Sequence, residues 1–117
     1  MDYEPLDEDE ALVTAVGLIL DGKAEEALRF LSDFYGVRPP RLKIGLPKRC
    51  LNALGCYVGS KNTIYLRSSR EYMDPFVVLH EFYHHIRSRL GKHRGTEKHA
   101  DKYAIRAILL YRKRLSR

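Results

Sequence analysis

The sequence predicts a single α+β domain with a helical hairpin at its N-terminus, a small sheet in the middle and two helices at its C-terminus. Apolar residues recur at helical spacing in the first and last thirds of the 117-residue chain. Short segments rich in β-branched and aromatic residues, separated by turn residues, occupy the middle. A chain of this length forms about one domain, and no repeat, low-complexity tract or flexible linker divides residues 1–117.

The first two predicted helices form the hairpin. Apolar spacing predicts one helix over 7–20 and a second over 23–35. Gly36 is a candidate for the C-cap of the second helix, and the Pro39-Pro40 pair prevents the helix from continuing. We expect this hairpin to support the rest of the domain.

Three short strands are predicted in the middle of the chain. They cover residues 41–45, 55–58 and 63–66. Residues 59–62 have the composition of a turn, so the second and third strands are expected to form a hairpin. The sequence therefore predicts a small, mostly antiparallel sheet.

The last third of the chain contains two predicted helices. Asp74 is suited to an N-cap, and Pro75 fits the first helical position, where its missing N–H costs nothing. This helix is expected to run to about Leu90 and to end at Gly91. Thr96 can cap the final helix, which completes the order α-α-β-β-β-α-α.

Composition excludes several classes of protein. Hydrophobic residues make up 44% and charged residues 31% of the chain, as in folded globular domains rather than disordered chains. The longest apolar run, residues 11–20, is too short for a membrane span of about 20 residues, and the N-terminus lacks the basic segment of a signal peptide. We therefore expect no membrane association and a cytoplasmic location. Cys50 and Cys56 can pair across a turn or remain free, and in an ordinary cytosol free thiols are favoured.

Charge is distributed unevenly along the chain. The whole chain carries +6, residues 1–10 form an acidic head of −6, and residues 86–117 carry +9 and end in a basic tail at 111–117. A basic segment can bind nucleic acid or another acidic partner, and here it can also pair with the acidic head. Solvated charged faces are the third interpretation.

The helix predicted to begin at Pro75 contains the motif His80-Glu81-Phe82-Tyr83-His84, which has the form H-E-x-x-H. Histidines four positions apart lie one turn apart on one helix face, so both rings can reach one metal ion. Glu81 is rotated by about 100° from His80, so it can flank the ion without binding it. The motif supplies two candidate ligands and a candidate general base. Two ordinary histidines on an amphipathic helix are the alternative.

A catalytic zinc site usually has a third protein ligand and an open position. Glu97 is the favoured third ligand, and Asp101, one turn further on, is expected to accept an N–H from a ligating histidine and fix its tautomer. His99 and, more weakly, His93 are the alternative ligands, whereas His85 is expected to be structural or exposed. The alternative for Glu97 and Asp101 is an acidic pair in the first turn of a helix that binds no metal.

The motif at 80–84, followed by Glu97-x-x-Ala100-Asp101, resembles the zinc-site pattern of gluzincin metallopeptidases, including membrane-embedded ones. The size and element order over 37–110 are similar to those of the minigluzincins, soluble single-domain peptidases of thermophilic prokaryotes. The resemblance implies a minimal zincin-like domain with an active-site helix, a C-terminal ligand helix and one Zn2+ per chain. Minigluzincins are described with histidine as the third ligand, which keeps His99 open.

The resemblance also implies an activity, namely hydrolysis of peptide bonds by a zinc-activated water with Glu81 as general base. A peptide or protein substrate is expected to pair with a strand by β-augmentation. The strand expected to do this comprises Thr63, Ile64, Tyr65 and Leu66, and the alternative is a plain inner or edge strand. The candidates for stabilising the oxyanion are Tyr103, Tyr111 and Arg106, although tyrosines on such a helix are more often core residues.

The family further implies latency, in which the basic tail at 111–117 would block the cleft or mediate self-association. Three other functions stay open. One is a nucleic-acid-binding module that uses the basic C-terminal third, although helix-turn-helix, zinc-finger and RNP signatures are lacking. Another is a regulatory zinc peptidase that cleaves one specific repressor. The last is a structural or regulatory metal site without catalysis, which has no use for Glu81.

Overall fold

The computed structural model describes residues 6–90 and 97–116, which form a small α+β domain. In chain order the elements are α1 (Glu8–Leu20), α2 (Ala24–Tyr35), β1 (Arg41–Ile44), β2 (Gly55–Val58), β3 (Thr63–Leu66), α3 (Ser69–Tyr72), α4 (Pro75–Arg89) and α5 (Glu97–Leu115). The predicted fold class is confirmed at this level. The expected helix end at Gly91, the cap at Thr96 and the alternative ligand His93 lie outside the described residues, as do residues 1–5 and Arg117.

The N-terminal hairpin is confirmed to within one residue at each end. Asp7 caps α1, because its side chain accepts a hydrogen bond of 2.8 Å from the backbone N–H of Glu10. Gly36 ends α2 in the left-handed conformation at φ 70°, which glycine adopts without steric cost. α1 packs against both α2 and α5, so the hairpin forms one side of the core.

The C-terminal helices also form where the sequence predicts them. The Asp74 carboxylate caps α4 by accepting from the backbone N–H groups of Phe76 and Val77, and Pro75 is the first residue of the helix. The short helix α3 was not predicted; the Ser68 hydroxyl caps it through the N–H of Arg70 at 3.2 Å. α4 packs against α5 on one side and against β2 on the other, so it lies at the centre of the domain.

The sheet is mixed rather than mostly antiparallel, which corrects the prediction. Its strand order is β1-β3-β2, with β3 antiparallel to β2 and parallel to β1. The predicted β2–β3 hairpin is present. β3 has three buried residues out of four and takes the middle position, whereas the largely exposed β1 can only form an edge.

The prediction that β3 binds the substrate is wrong, because β3 is the middle strand of the sheet. Both edges of β3 are already paired, so Thr63, Ile64, Tyr65 and Leu66 have no free backbone edge to offer a peptide. Thr63, Ile64 and Leu66 are buried as well. Within the described residues, the unpaired edges of the sheet belong to β1 and β2.

Cys50 and Cys56 form a disulfide, which corrects the expectation of free thiols. A short 3₁₀ turn at Lys48–Cys50 folds the chain back, and the two Cα atoms come within 6.2 Å. The disulfide therefore ties the start of β2 to the segment that precedes it.

None of the helices in the described ranges combines the length and the apolar character that crossing a membrane would require. Their apolar faces instead meet in one core between the helices and β3, and its largest fully buried side chain is Phe82 of α4. Phe82 directly follows Glu81, so the core fixes the helix that carries the H-E-x-x-H motif.

Candidate metal centre

The two histidines of the motif lie side by side on α4. Their rings have centroids 5.1 Å apart and are nearly perpendicular, as expected for residues one helical turn apart. His80 is 8% exposed and His84 is partly buried. Both rings are therefore held in place by the surrounding protein rather than free in solvent.

Glu97, at the start of α5, faces both histidines. Its two carboxylate oxygens lie 3.0 Å from Nε2 of His80 and 2.7 Å from Nε2 of His84. One ligand atom from each of these three residues lies within 4.8 Å of the other two, so His80, His84 and Glu97 could hold a metal ion and are called the metal-holding group below. The structure thus brings together the two predicted histidine ligands and the favoured third ligand. His99 is exposed on α5 and is not part of this group.

A second observation also supports a metal ion at His80, His84 and Glu97. Nε2 of His84 is buried and makes no hydrogen bond within the described residues, although Glu97 lies close by. Buried polar atoms are nearly always paired, so this nitrogen is suited to a ligand that lies between the three side chains. Two imidazole nitrogens and a carboxylate form a donor set that zinc accepts, with a fourth position left open.

Asp101 orients His80, as predicted. Its carboxylate lies 2.9 Å from Nδ1 of His80, and because an ionised carboxylate only accepts, Nδ1 carries the proton that it donates. This leaves Nε2 of His80 facing the metal-holding group. A carboxylate behind a ligating histidine fixes the ring orientation and raises the basicity of the ligand nitrogen.

Glu81 lies beside this group without belonging to it. Its Oε2 is 3.8 Å from Nε2 of His80, and the residue is 8% exposed. Burial is the main cause that raises the pKa of Glu81 to about 7; the Glu97 charge raises it further, and His80 and the Tyr57 backbone N–H oppose the shift. A buried carboxylate next to three candidate ligands is well placed to exchange protons with a reacting molecule.

A cleft of about 530 Å³ opens beside the site. One wall is formed by β2 and the turn after it, and the other by α4 and the start of α5. Its lining residues are Gly55, Cys56, Tyr57, Gly59, Glu81, His84, Arg87, Ser88 and Glu97. A smaller cavity of about 220 Å³ shares Gly55, Glu81 and Glu97 with the first and also reaches His80.

Gly55 is a site residue that the sequence analysis missed. A Cβ atom at this position would lie 2.9 Å from Cγ1 of Val77 and 3.1 Å from Cγ of Glu81. Only glycine therefore lets β2 approach α4 closely enough to bury Glu81. Gly55 is the first residue of the predicted strand 55–58, and a glycine in a strand often marks such a close backbone approach.

His85 was expected to be structural or exposed, and the structure shows it fully buried. Its Nε2 lies 2.6 Å from the carbonyl oxygen of Arg38, so Nε2 carries the proton and Nδ1 accepts from the Tyr57 hydroxyl at 2.9 Å. Burial lowers the pKa of His85, which favours the neutral ring. His85 thereby connects α4 to the cleft wall at Tyr57.

The three candidates for stabilising the oxyanion lie elsewhere. Tyr103 is buried and shares a hydrogen bond of 2.8 Å with Tyr35, and burial raises its pKa. Tyr111 packs beside α1, and Arg106 pairs with Glu8 and Asp9. None of the three lines the cleft, so the expectation that the tyrosines are core residues fits better.

The structure describes residues 6–10 of the acidic head and residues 111–116 of the basic tail. Glu8 and Asp9 of the head pair with Arg106 in the middle of α5. Residues 111–116 extend α5 and the turn after it, and none of them lines the cleft. Within this chain the described part of the tail does not block the site.

Comparisons of this chain with protein-family models, with curated proteins and with solved structures find no match.

Proposed function

We propose that this chain is a zinc-dependent endopeptidase that hydrolyses peptide bonds at the His80, His84 and Glu97 site. The observation that carries the proposal is the convergence of these three side chains beside a buried fourth one, Glu81, that is not part of the metal-holding group. A purely structural metal site needs no such carboxylate, and it needs no open cleft beside its ligands.

Each residue of the site has a distinct task in this proposal. His80, His84 and Glu97 hold the ion, and Asp101 keeps the His80 ring in position. Bound zinc would lower the pKa of water and polarise the substrate carbonyl. Glu81 takes a proton from the attacking water and passes it to the nitrogen of the leaving amine.

The edge of β2 is the proposed substrate-binding element, in place of β3. Within residues 6–90 and 97–116, β2 pairs only with β3, and its residues Gly55, Cys56 and Tyr57 line the cleft. An extended peptide can add to such an edge through its backbone. One cavity is lined by His84 and the other by His80, so space is available on both sides of the metal-holding group. A substrate chain can therefore extend in both directions from the cleaved bond, which favours cleavage within a chain over removal of a terminal residue.

The first experiment measures zinc bound per chain after reconstitution, in the native protein and in the Glu97→Ala and His99→Ala variants. We expect one zinc per chain in the native protein and in His99→Ala, and loss of zinc in Glu97→Ala. The opposite pattern would make His99 the third ligand. Absence of zinc from the reconstituted native protein would overturn the proposal, and binding of nucleic acid as a function of salt would be examined next.

The second experiment tests catalysis with casein as substrate. We expect Glu81→Gln to retain zinc while its rate of hydrolysis falls about 10²- to 10⁴-fold, the usual contribution of a general base. Glu26→Gln, which changes an exposed carboxylate on α2, is the matched control. Equal hydrolysis by the native protein and Glu81→Gln would contradict the assigned role.

A further inference from the structure

Arg87 continues the face of α4 that carries the two histidines. It follows His84 by three residues and His80 by seven, and these spacings place all three on one side of a helix. Arg87 lines the larger cleft together with His84 and Glu81. Helical rise places its Cα about 4.5 Å beyond that of His84 along the axis, and an extended peptide advances about 3.3 Å per residue. Arg87 is therefore level with a substrate residue one or two positions from the scissile bond.

The guanidinium of Arg87 lacks an acceptor within the described residues. Its Nε is buried and makes no hydrogen bond there. The guanidinium carbon lies 5.8 Å above the centre of the Tyr83 ring, and the Tyr83 ring also contacts that of His84. Tyr83 thus holds Arg87 beside the metal-holding group and leaves its N–H groups available. A buried donor without an acceptor is costly, so this arrangement suits a ligand that supplies one.

Arg89, two residues further along α4, differs from Arg87 in its hydrogen bonds. It donates hydrogen bonds to the Asn62 side-chain oxygen at 2.9 Å and to the Gly59 carbonyl oxygen at 3.4 Å. It therefore has a structural task at the end of the β2–β3 hairpin. Arg87 has no comparable contact within residues 6–90 and 97–116 and faces the cleft instead.

Among the described residues that line the cleft, Arg87 is the one arginine or lysine, so a carboxylate of a ligand would be bound there. The other ionisable groups of the cleft are Glu81, His84, Glu97 and Tyr57, of which His84 and Glu97 belong to the metal-holding group. A guanidinium binds a carboxylate through two parallel hydrogen bonds, a geometry that neutral side chains match poorly.

We propose that Arg87 binds a carboxylate of the substrate, so that the cleft selects peptides with an acidic group one or two residues from the scissile bond. This inference rests on the proposed peptidase function. The carboxylate can belong to an aspartate or glutamate side chain or to the C-terminus of the peptide. These two sources share one chemistry and are separated by experiment.

The cleavage test uses a peptide mixture of random sequence, whose cut sites are read by mass spectrometry. We expect aspartate and glutamate to be enriched on one side of the scissile bond with the native protein. In Arg87→Gln the preference for acidic over neutral residues should fall about tenfold or more, and Arg87→Glu should favour lysine and arginine instead. Arg29→Gln, which removes an exposed arginine on α2, should cleave like the native protein. An unchanged preference in Arg87→Gln would overturn the inference while leaving the peptidase intact.

The binding test does not depend on hydrolysis and uses zinc-reconstituted Glu81→Gln protein. The probes are a capped peptide of alternating alanine and glutamate, its alanine–glutamine counterpart, and the latter with a free C-terminal carboxylate. We expect the glutamate peptide to bind about tenfold more tightly than the capped glutamine peptide, and this gain to disappear when Arg87→Gln is added. It should persist when Arg29→Gln is added instead. Tighter binding of the free-carboxylate peptide alone would identify the C-terminus as the source.

The Arg87 side chain can also be observed directly. Its Nε–H signal in a ¹H–¹⁵N NMR spectrum, identified by its loss in Arg87→Gln, should shift when the glutamate peptide is added and remain unchanged with the capped glutamine peptide. If all the peptides bind equally and the signal stays in place, the inference is wrong, whether or not the protein hydrolyses casein. Failure of the proposed function alone would instead appear as binding at Arg87 without hydrolysis.

Discussion

At the scale of single residues, the candidate site combines a buried nitrogen, a buried carboxylate and a tightly packed glycine. Nε2 of His84 makes no hydrogen bond among the described residues, Glu81 is a carboxylate with 8% exposure, and Gly55 has no room for a Cβ atom. Each of these features would be unfavourable in a domain that only had to fold. They occur together at one cleft, which is what a site built for a ligand and a reaction requires.

We predict that Gly55→Ala lowers the proposed peptidase activity by about tenfold or more, because the added Cβ meets Val77 and displaces the Glu81 carboxylate. Overpacking of this kind also lowers the free energy of unfolding by about 1–3 kcal/mol. Steady-state hydrolysis and urea denaturation measure the two effects. Gly17→Ala, whose new atom would lie at an ordinary 3.4 Å from Tyr111, is the control. Full activity in Gly55→Ala would contradict the role of this glycine.

At the scale of elements, α4 carries most of the site. His80, Glu81, His84 and Arg87 all belong to it, and the buried Phe82 and His85 anchor it to the core and to β2. α5 contributes Glu97 and Asp101 from its first two turns. The site therefore depends on how each helix is rotated about its own axis, since a shift of one residue in register would rotate these side chains by about 100°.

We predict that Asp74→Ala lowers the free energy of unfolding by about 1 kcal/mol, because the first turn of α4 loses its capping carboxylate. Asp74→Ser keeps a capping oxygen and should recover most of this loss. Chemical denaturation followed by circular dichroism measures both variants. Equal stability of Asp74→Ala and the native protein would show that tertiary packing alone fixes the start of the helix.

At the scale of the whole molecule, contacts between the chain's two ends hold α1 against α5. Glu8 accepts from Arg106 at 2.8 Å and from the Tyr35 hydroxyl at 2.8 Å, and Asp9 also pairs with Arg106. Although partial burial raises it, hydrogen bonds from Arg106 and Tyr35 lower the pKa of Glu8 overall. This contact helps to position α5, and with it Glu97 and Asp101, over α4.

We predict that Glu8→Gln destabilises the protein by about 0.5–1 kcal/mol near neutral pH. Because the pKa of Glu8 is lowered by folding, its contribution is complete above the ordinary value of 4.5 and is lost as the pH falls through the lowered value. The difference in unfolding free energy between the native protein and Glu8→Gln should therefore be largest near neutral pH and disappear at a pH below the lowered pKa of Glu8. Urea denaturation at both pH values measures it, with the exposed Glu26→Gln as control. A difference that grows on acidification would refute this account.

The helices and the local site motif could be predicted because their signals are local. Asp74 and Pro75 mark the start of α4, and the spacing of His80 and His84 places two rings on one face whatever surrounds the helix. The sheet was harder, because strand order depends on contacts between distant segments. Nothing within Thr63–Leu66 reveals that β1 and β2 occupy both of its edges. The pairing of Cys50 with Cys56 likewise depends on how the intervening chain folds.

The sequence by itself determined the α+β class, the positions of the long helices and the placement of His80, Glu81 and His84 on one of them, because helical periodicity and capping act over a few residues. Only the tertiary structure decided that Glu97 rather than His99 faces both histidines, that Gly55 admits the Glu81 side chain, and that Arg87 enters the cleft without an acceptor among the described residues. Those outcomes depend on how α5 and β2 pack against α4. Such packing balances burial against hydrogen bonding across the whole chain, and no short stretch of sequence encodes it.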